Sequence, residues 1–251
     1  MGNDNENDPQ YWVNMGYSLT AEGKDEQAIK YYKKALELDP ENDAALINLG
    51  IALCKSGELA EAKRNLLYAT KLYPDYVEAW INLGYLYGKE NNPDEEMNCY
   101  DKALDIDPSR AVIWHNRGYL YRQKGRFKEA ISDFQESLRL RPDHIPTLSY
   151  KAIAHFLLEQ FDDADKCLDA ILAIDPNNTD ALGNKANVMS KRGKFDDALK
   201  YIDRSLRINN KSIEMWKNKA ALLRWVGDIE NADKCDEEAN RLESDIKKWI
   251  L

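Results

Sequence analysis

Asparagine recurs in this 251-residue chain at multiples of 34 residues: Asn14, Asn48, Asn82, Asn116, Asn184 and Asn218, with Tyr150 at the one interruption. A carboxamide donates and accepts hydrogen bonds at once. A ladder of them could grip the backbone of an extended peptide with little regard to its sequence. Equally, each could bond within its own stretch of chain. The other chemistry-bearing residues point to no reaction. His115, His144 and His155 have no periodic Ser or Cys nucleophile beside them, and the chain carries neither a Gly-rich phosphate loop nor a metal-ligand cluster. Neither catalysis, nor a cofactor, nor a metal is expected. Cys99, Cys167 and Cys235 lie 68 residues apart, too far along a regular array to be bridged, and with Cys54 they read as buried thiols acting as small hydrophobes.

The elements that must carry the asparagines follow from the same period. Pro40, Pro74, Pro108, Pro142 and Pro176 also fall 34 residues apart. Such a period marks a solenoid, in which each unit leaves an apolar face for its neighbour to cover. Seven units follow without insertion: 9–42, 43–76, 77–110, 111–144, 145–178, 179–212 and 213–246. Each holds two apolar stretches of helical period, as in Trp80, Leu83, Gly84 and Tyr87. Small residues mark close helix approach. The eighth position reads Gly16, Gly50, Gly84, Gly118, Ala152, Ala186 and Ala220, and the twentieth is Ala except at Glu96. Turn glycines separate the helices, with Asn91 and Glu159 in their place in the third and fifth units. The acidic pairs Asp162-Asp163 and Asp196-Asp197 open second helices, where they favour the helix dipole.

Trp80-x-x-Leu83-Gly84-x-x-Tyr87 and Ala130-x-x-x-Phe134, with Pro142 eight residues on, resemble the tetratricopeptide repeat (TPR) pattern. The resemblance implies an all-α fold, a right-handed superhelical α-solenoid of antiparallel helix pairs spanning residues 9–251. It also implies that the second, fifth, sixth, ninth, twelfth and thirteenth positions of each unit line a concave groove. Carried onto this chain, the sixth position is the asparagine ladder. The fifth and ninth supply Val13, Tyr17, Ile47, Ile51, Ile81, Tyr85, His115, Tyr119, Ser149 and Ile153, with Phe156 from a twelfth. Units six and seven give Gly183, Asn187, Lys217 and Ala221, a polar third of the groove. Lys55, Lys89, Arg122, Lys191, Lys217 and Arg224 outnumber Glu78, Asp180 and Glu214 there, so a partner with acidic beside apolar residues is expected. The family's two-carboxylate clamp needs Lys at the fifth and Asn at the ninth position of one unit, and no three consecutive units here supply its full set.

Arg117, Lys151, Lys185 and Lys219 stand at the seventh position, where Leu is usual, and read as packed stems with solvated charges. With 44 acidic against 35 basic residues, a net charge of −9, the chain has the same sign as a phosphate backbone, and a nucleic-acid partner is not expected. No apolar run of about 18 residues exists to span a membrane. Residues 1–8 read as a disordered acidic lead-in and the protein as cytoplasmic. The apolar spacing continues past Ser244, giving one final capping helix from about Ile229 to about Ile250. Trp249, Ile250 and Leu251 either complete that cap or form a self-association patch. The function expected is a protein-protein interaction adaptor, monomeric or weakly dimeric; the alternative is a structural protein that self-associates through its C-terminal helix or by end-to-end stacking.

Overall fold

The computed structural model describes residues 4–250, with side chains from 6 to 246. The side chains of Trp249 and Ile250, and all of Leu251, lie outside that range. The chain divides into two compact units, residues 1–120 and 121–251. In the first, Asp4–Asn7 form a single 3-10 turn ahead of α1 (Pro9–Ala21), where a shapeless lead-in was expected. The Trp12 indole N–H holds that turn by donating to the Glu6 carbonyl at 2.9 Å. Then come α2 (Asp25–Leu38), α3 (Asp43–Ser56), α4 (Leu59–Leu72), α5 (Val77–Lys89) and α6 (Pro93–Ile106). Helix α7 (Ala111–Gln123) contains the division. The second unit continues with α8 (Phe127–Leu140), α9 (Ile145–Leu157), α10 (Phe161–Ile174), α11 (Thr179–Lys191), α12 (Phe195–Ile208), α13 (Ile213–Trp225) and α14 (Ile229–Ile250). No strand occurs among the described residues.

Odd-numbered helices are the first of each repeat and even-numbered ones the second. Both the pairing within a repeat and the stacking of repeats have visible causes. Within a pair, a large side chain at position 24 fills the space left by the small residue at position 8. A Cβ on Gly16 would stand 2.5 Å from the Tyr32 ring, and one on Gly50 2.7 Å from Leu66. Tyr32, Leu66, Tyr100 and Leu168 are accordingly buried. Between repeats, tryptophans clasp the stretch that ends the preceding helix: the indoles of Trp80, Trp114 and Trp216 donate to the carbonyls of Pro74 (2.8 Å), Pro108 (2.7 Å) and Asn210 (2.9 Å). Side-chain oxygens of Asn42, Asn178 and Ser212 then cap the next helix. At the turn within a repeat the backbone goes left-handed, with φ 88° at Gly57 and φ 58° at Glu159.

Glu96, the exception at position 20, is accommodated by a second exception. Position 12 of the same repeat is Gly88, where a Cβ would meet the Glu96 carboxylate at 2.9 Å. The Tyr100 hydroxyl donates to that carboxylate at 3.2 Å. The seventh-position cations also differ from expectation. Three of the four turn their charges onto an aspartate at position 25 of the preceding repeat, among them Arg117 on Asp101 (2.8 Å) and Lys219 on Asp203 (2.7 Å). Lys185 makes the deepest such contact, 4% exposed, with its ammonium on Asp169 and, at 2.6 Å, on Asp165. A cation in a helix-packing face needs such partners, because burial without one is costly.

Candidate functional site

In the second unit, the first-helix face opens into a cavity of about 260 Å³ between α9, α10 and α11. Ala152, Ile153, Phe156, Leu168 and Val188 make its walls apolar, and the carboxamides of Asn184 and Asn187 are its polar groups. Phe161 holds Phe156 edge-on, with ring centroids 5.6 Å apart. Beside the cavity the ninth position departs from its earlier pattern. The ninth residue of repeats two to five is Ile51, Tyr85, Tyr119 and Ile153, whereas repeat six has the shorter Asn187 and repeat seven Ala221. Asn184 and Asn187 are three residues apart on α11 and so share a helix face. A space this size is below the range of drug-sized ligand pockets and suits one bulky side chain.

The expected site residues do not all gather there. Ile153 and Asn184 line the cavity, and Tyr150, the break in the asparagine series, lies under Arg122 (4.9 Å) with its ring tilted against Phe134 (6.1 Å). In the first unit, Tyr17 and Tyr85 stand on the surface, 66% and 47% exposed, with Lys89 over the Tyr85 ring at 5.3 Å. Ile51, Ile81, His115 and Tyr119 are half-buried. Ile47 and Val13 are buried, 4% exposed each, in the packing between repeats, and so cannot anchor a ligand. Their fifth position points at the neighbouring repeat rather than at solvent.

Three asparagines have internal partners. Asn14 accepts from Gln10 at 3.0 Å, Asn82 donates to the Glu78 carbonyl at 2.7 Å, and Asn116 bonds the buried Tyr100 hydroxyl. Asn48, Asn184 and Asn218 are half-buried. Internal carboxylates also neutralise several of the cations expected to make the face positive. Lys55 meets Asp25 at 3.3 Å, Lys217 meets Glu243 at 2.5 Å, and Arg224 meets Asp233 and Asp236 at 2.9 and 2.5 Å. The four cysteines are buried free thiols, and burial pushes Cys54 up to about 11 and Cys99 to about 12, which keeps them protonated and unreactive.

Family models described as tetratricopeptide repeats match residues 77–110, 111–144 and 168–222, and one described as a TPR repeat matches 16–57. Together they cover more than half of the chain. This chain belongs to the tetratricopeptide repeat family. The matches at 77–110 and 111–144 coincide with the third and fourth units of the sequence period. Among solved TPR structures, YrrB, described as a TPR protein with an unusual peptide-binding site, superposes with a TM-score of 0.68 at 20% identity. That match covers 75% of this chain and 97% of YrrB. PilF of Pseudomonas aeruginosa gives 0.66 at 20% identity, covering 80% and 91%. A TPR protein of Parabacteroides merdae gives 0.66 at 19%, covering 93% of each chain. At these identities the likeness is one of fold. No curated protein matches the sequence.

Within this TPR array the cavity was not legible from the period, and the residues missed were those that depart from it. In the sequence Asn187 is only one polar residue of a polar third, and the structure puts it on the cavity wall with Ile153 and Val188. Side-chain size at the ninth position drops at both Asn187 and Ala221, so size by itself does not single out Asn187. No helix among the described residues is long and apolar enough to cross a membrane.

Proposed function

We propose that this TPR protein is an adaptor that holds an extended segment of a partner protein against the first-helix face of its second unit. The cavity beneath Asn184 and Asn187 carries this reading. One Leu- or Phe-sized side chain entering it would gain about 1.5–3 kcal/mol from burial. Each carboxamide bond to the segment's backbone would add about 1 kcal/mol. The apolar anchor therefore sets affinity and the two amides set register. TPR arrays in general serve as binding scaffolds rather than enzymes, and YrrB's described peptide-binding site is in keeping with such a role. Tyr17 and Tyr85 offer exposed aromatic contacts on the first unit.

Selection of a random dodecapeptide display library on the immobilised protein tests the reading, with Asn187→Ile as the comparator. Isoleucine occupies the same position in repeats two and five, so the substitution fills the space without a foreign packing arrangement. Circular dichroism checks that the fold is kept. Peptides enriched on the wild type should each present a bulky apolar residue and lose at least about tenfold in affinity on the filled variant. Equal binding to both proteins would overturn the assignment of the site.

A further inference from the structure

Charge on α11 is arranged in order along the face that carries the cavity's amides. Asp180, Asn184, Asn187 and Lys191 follow one another at spacings of four, three and four residues, which puts them in a single row. Asp180 and Lys191 are both exposed, at opposite ends of that row. On the next first helix, α13, the cations Lys217 and Arg224 are already paired, Lys217 with Glu243, and Arg224 with Asp233 and Asp236. From α9 the wall is apolar, through Ile153 and Phe156. Lys191 is thus the cation one helical turn beyond the cavity, and Asp180 repels anions at the other end.

We infer that the segment taken by the second unit carries a bulky apolar residue with an Asp or Glu two residues away, the apolar side chain filling the cavity and the carboxylate meeting Lys191. The inference rests on the adaptor reading above and adds the partner's chemistry to it. Its spacing comes from two geometries. Residues four apart on a helix are about 6 Å apart at their Cβ atoms. In an extended chain, residues two apart project from the same face and lie about 6.6 Å apart. An anchor at one position and a carboxylate two residues on therefore match Asn187 and Lys191 without bending the ligand. Asp180 fixes polarity, since a carboxylate placed on the other side of the anchor would approach a like charge.

The display selection is repeated on Lys191→Glu, an exposed position where the fold should be kept, and the enriched pools are sequenced. On the wild type, Asp or Glu should be enriched about threefold or more at one position two residues from the apolar anchor. On Lys191→Glu the same position should turn to Lys or Arg. Changing that Asp to Asn in a selected peptide should weaken wild-type binding about three- to fivefold and leave binding to Lys191→Glu no worse. Pools that keep the apolar anchor and fail on Asn187→Ile, yet show no charge preference, would overturn the role of Lys191 while leaving the cavity reading intact. Pools that bind Asn187→Ile as well as wild type would overturn both.

Discussion

Replacing Lys185 by leucine tests the idea that inward-turned charges hold the repeats of the second unit together. The Lys185 ammonium reaches Asp165 at 2.6 Å and also contacts Asp169, from a side chain only 5% exposed. Removing one partner of a buried pair costs about 3–5 kcal/mol where the other charge is left stranded. Here the stranding is incomplete. Asp169 is 63% exposed and rehydrates, while Asp165 keeps Arg192 at 3.3 Å. The expected loss is therefore lower, about 2 kcal/mol. The chain offers its own solution for comparison, because repeats two and three carry Leu67 and Leu83 at the same two positions. The double variant Lys185→Leu/Asp169→Leu copies that solution and should recover at least half of the loss. Repeat arrays need not unfold in one step, so urea denaturation is paired with hydrogen exchange over α10 and α11. A pH arm isolates the charge itself. Burial opposes the ammonium, but the hydrogen bonds to Asp165 and Asp169 outweigh it and raise its pKa in the fold. A raised folded pKa means the stabilisation is complete below the unfolded value, about 10.4, and is lost as pH rises beyond it. Wild type should approach Lys185→Leu as pH rises past that value and through the higher folded one. A loss below about 0.5 kcal/mol, or a double variant no better than the single, would refute the reasoning.

Two further outcomes follow from the packing. Gly16→Ala drives a methyl into the Tyr32 ring and should cost about 1–3 kcal/mol; adding Tyr32→Leu, the pairing that Ala152 makes with Leu168, should return part of it, and strictly additive losses in a double-mutant cycle would argue against the steric account. Glu159→Gly relieves a non-glycine residue at φ 58° and should raise stability by about 0.5–1 kcal/mol after the added freedom of the unfolded chain is subtracted, measured by chemical denaturation, with any loss counting against it.

The period made the architecture legible because it is written in residues whose constraints are local. A proline stops a helix, a small residue lets two helices approach, and a tryptophan finds the carbonyl six residues before it, whatever lies further away. The direction of a polar side chain is a different kind of fact. Asn82 and Asn116 share a position with Asn184, yet one bonds its own helix and another the Tyr100 hydroxyl. That outcome depends on which residue the adjacent helix presents. The seventh-position cations were misread for the same reason: a lysine stem suggests solvent until an aspartate at position 25 of the preceding repeat gives its charge a partner. That pairing was present in the sequence, since Arg117, Lys185 and Lys219 each follow an Asp by 16 residues, whereas Lys151 follows Gln135.

A repeat protein separates these two kinds of information. What recurs at every unit serves stacking, because every unit must stack; what serves a particular ligand has no reason to recur. Gly88 with Glu96 shows that one departure can merely compensate another, since each fills or vacates the same volume. Asn187 has no such counterpart. The cavity it lines is bounded by Phe156, itself a departure at a twelfth position otherwise held by Thr20, Cys54, Gly88, Arg122, Ser190 and Arg224. One departure removes bulk and the other adds apolar surface without refilling the volume, which is the combination a binding cavity requires and a stacking interface does not.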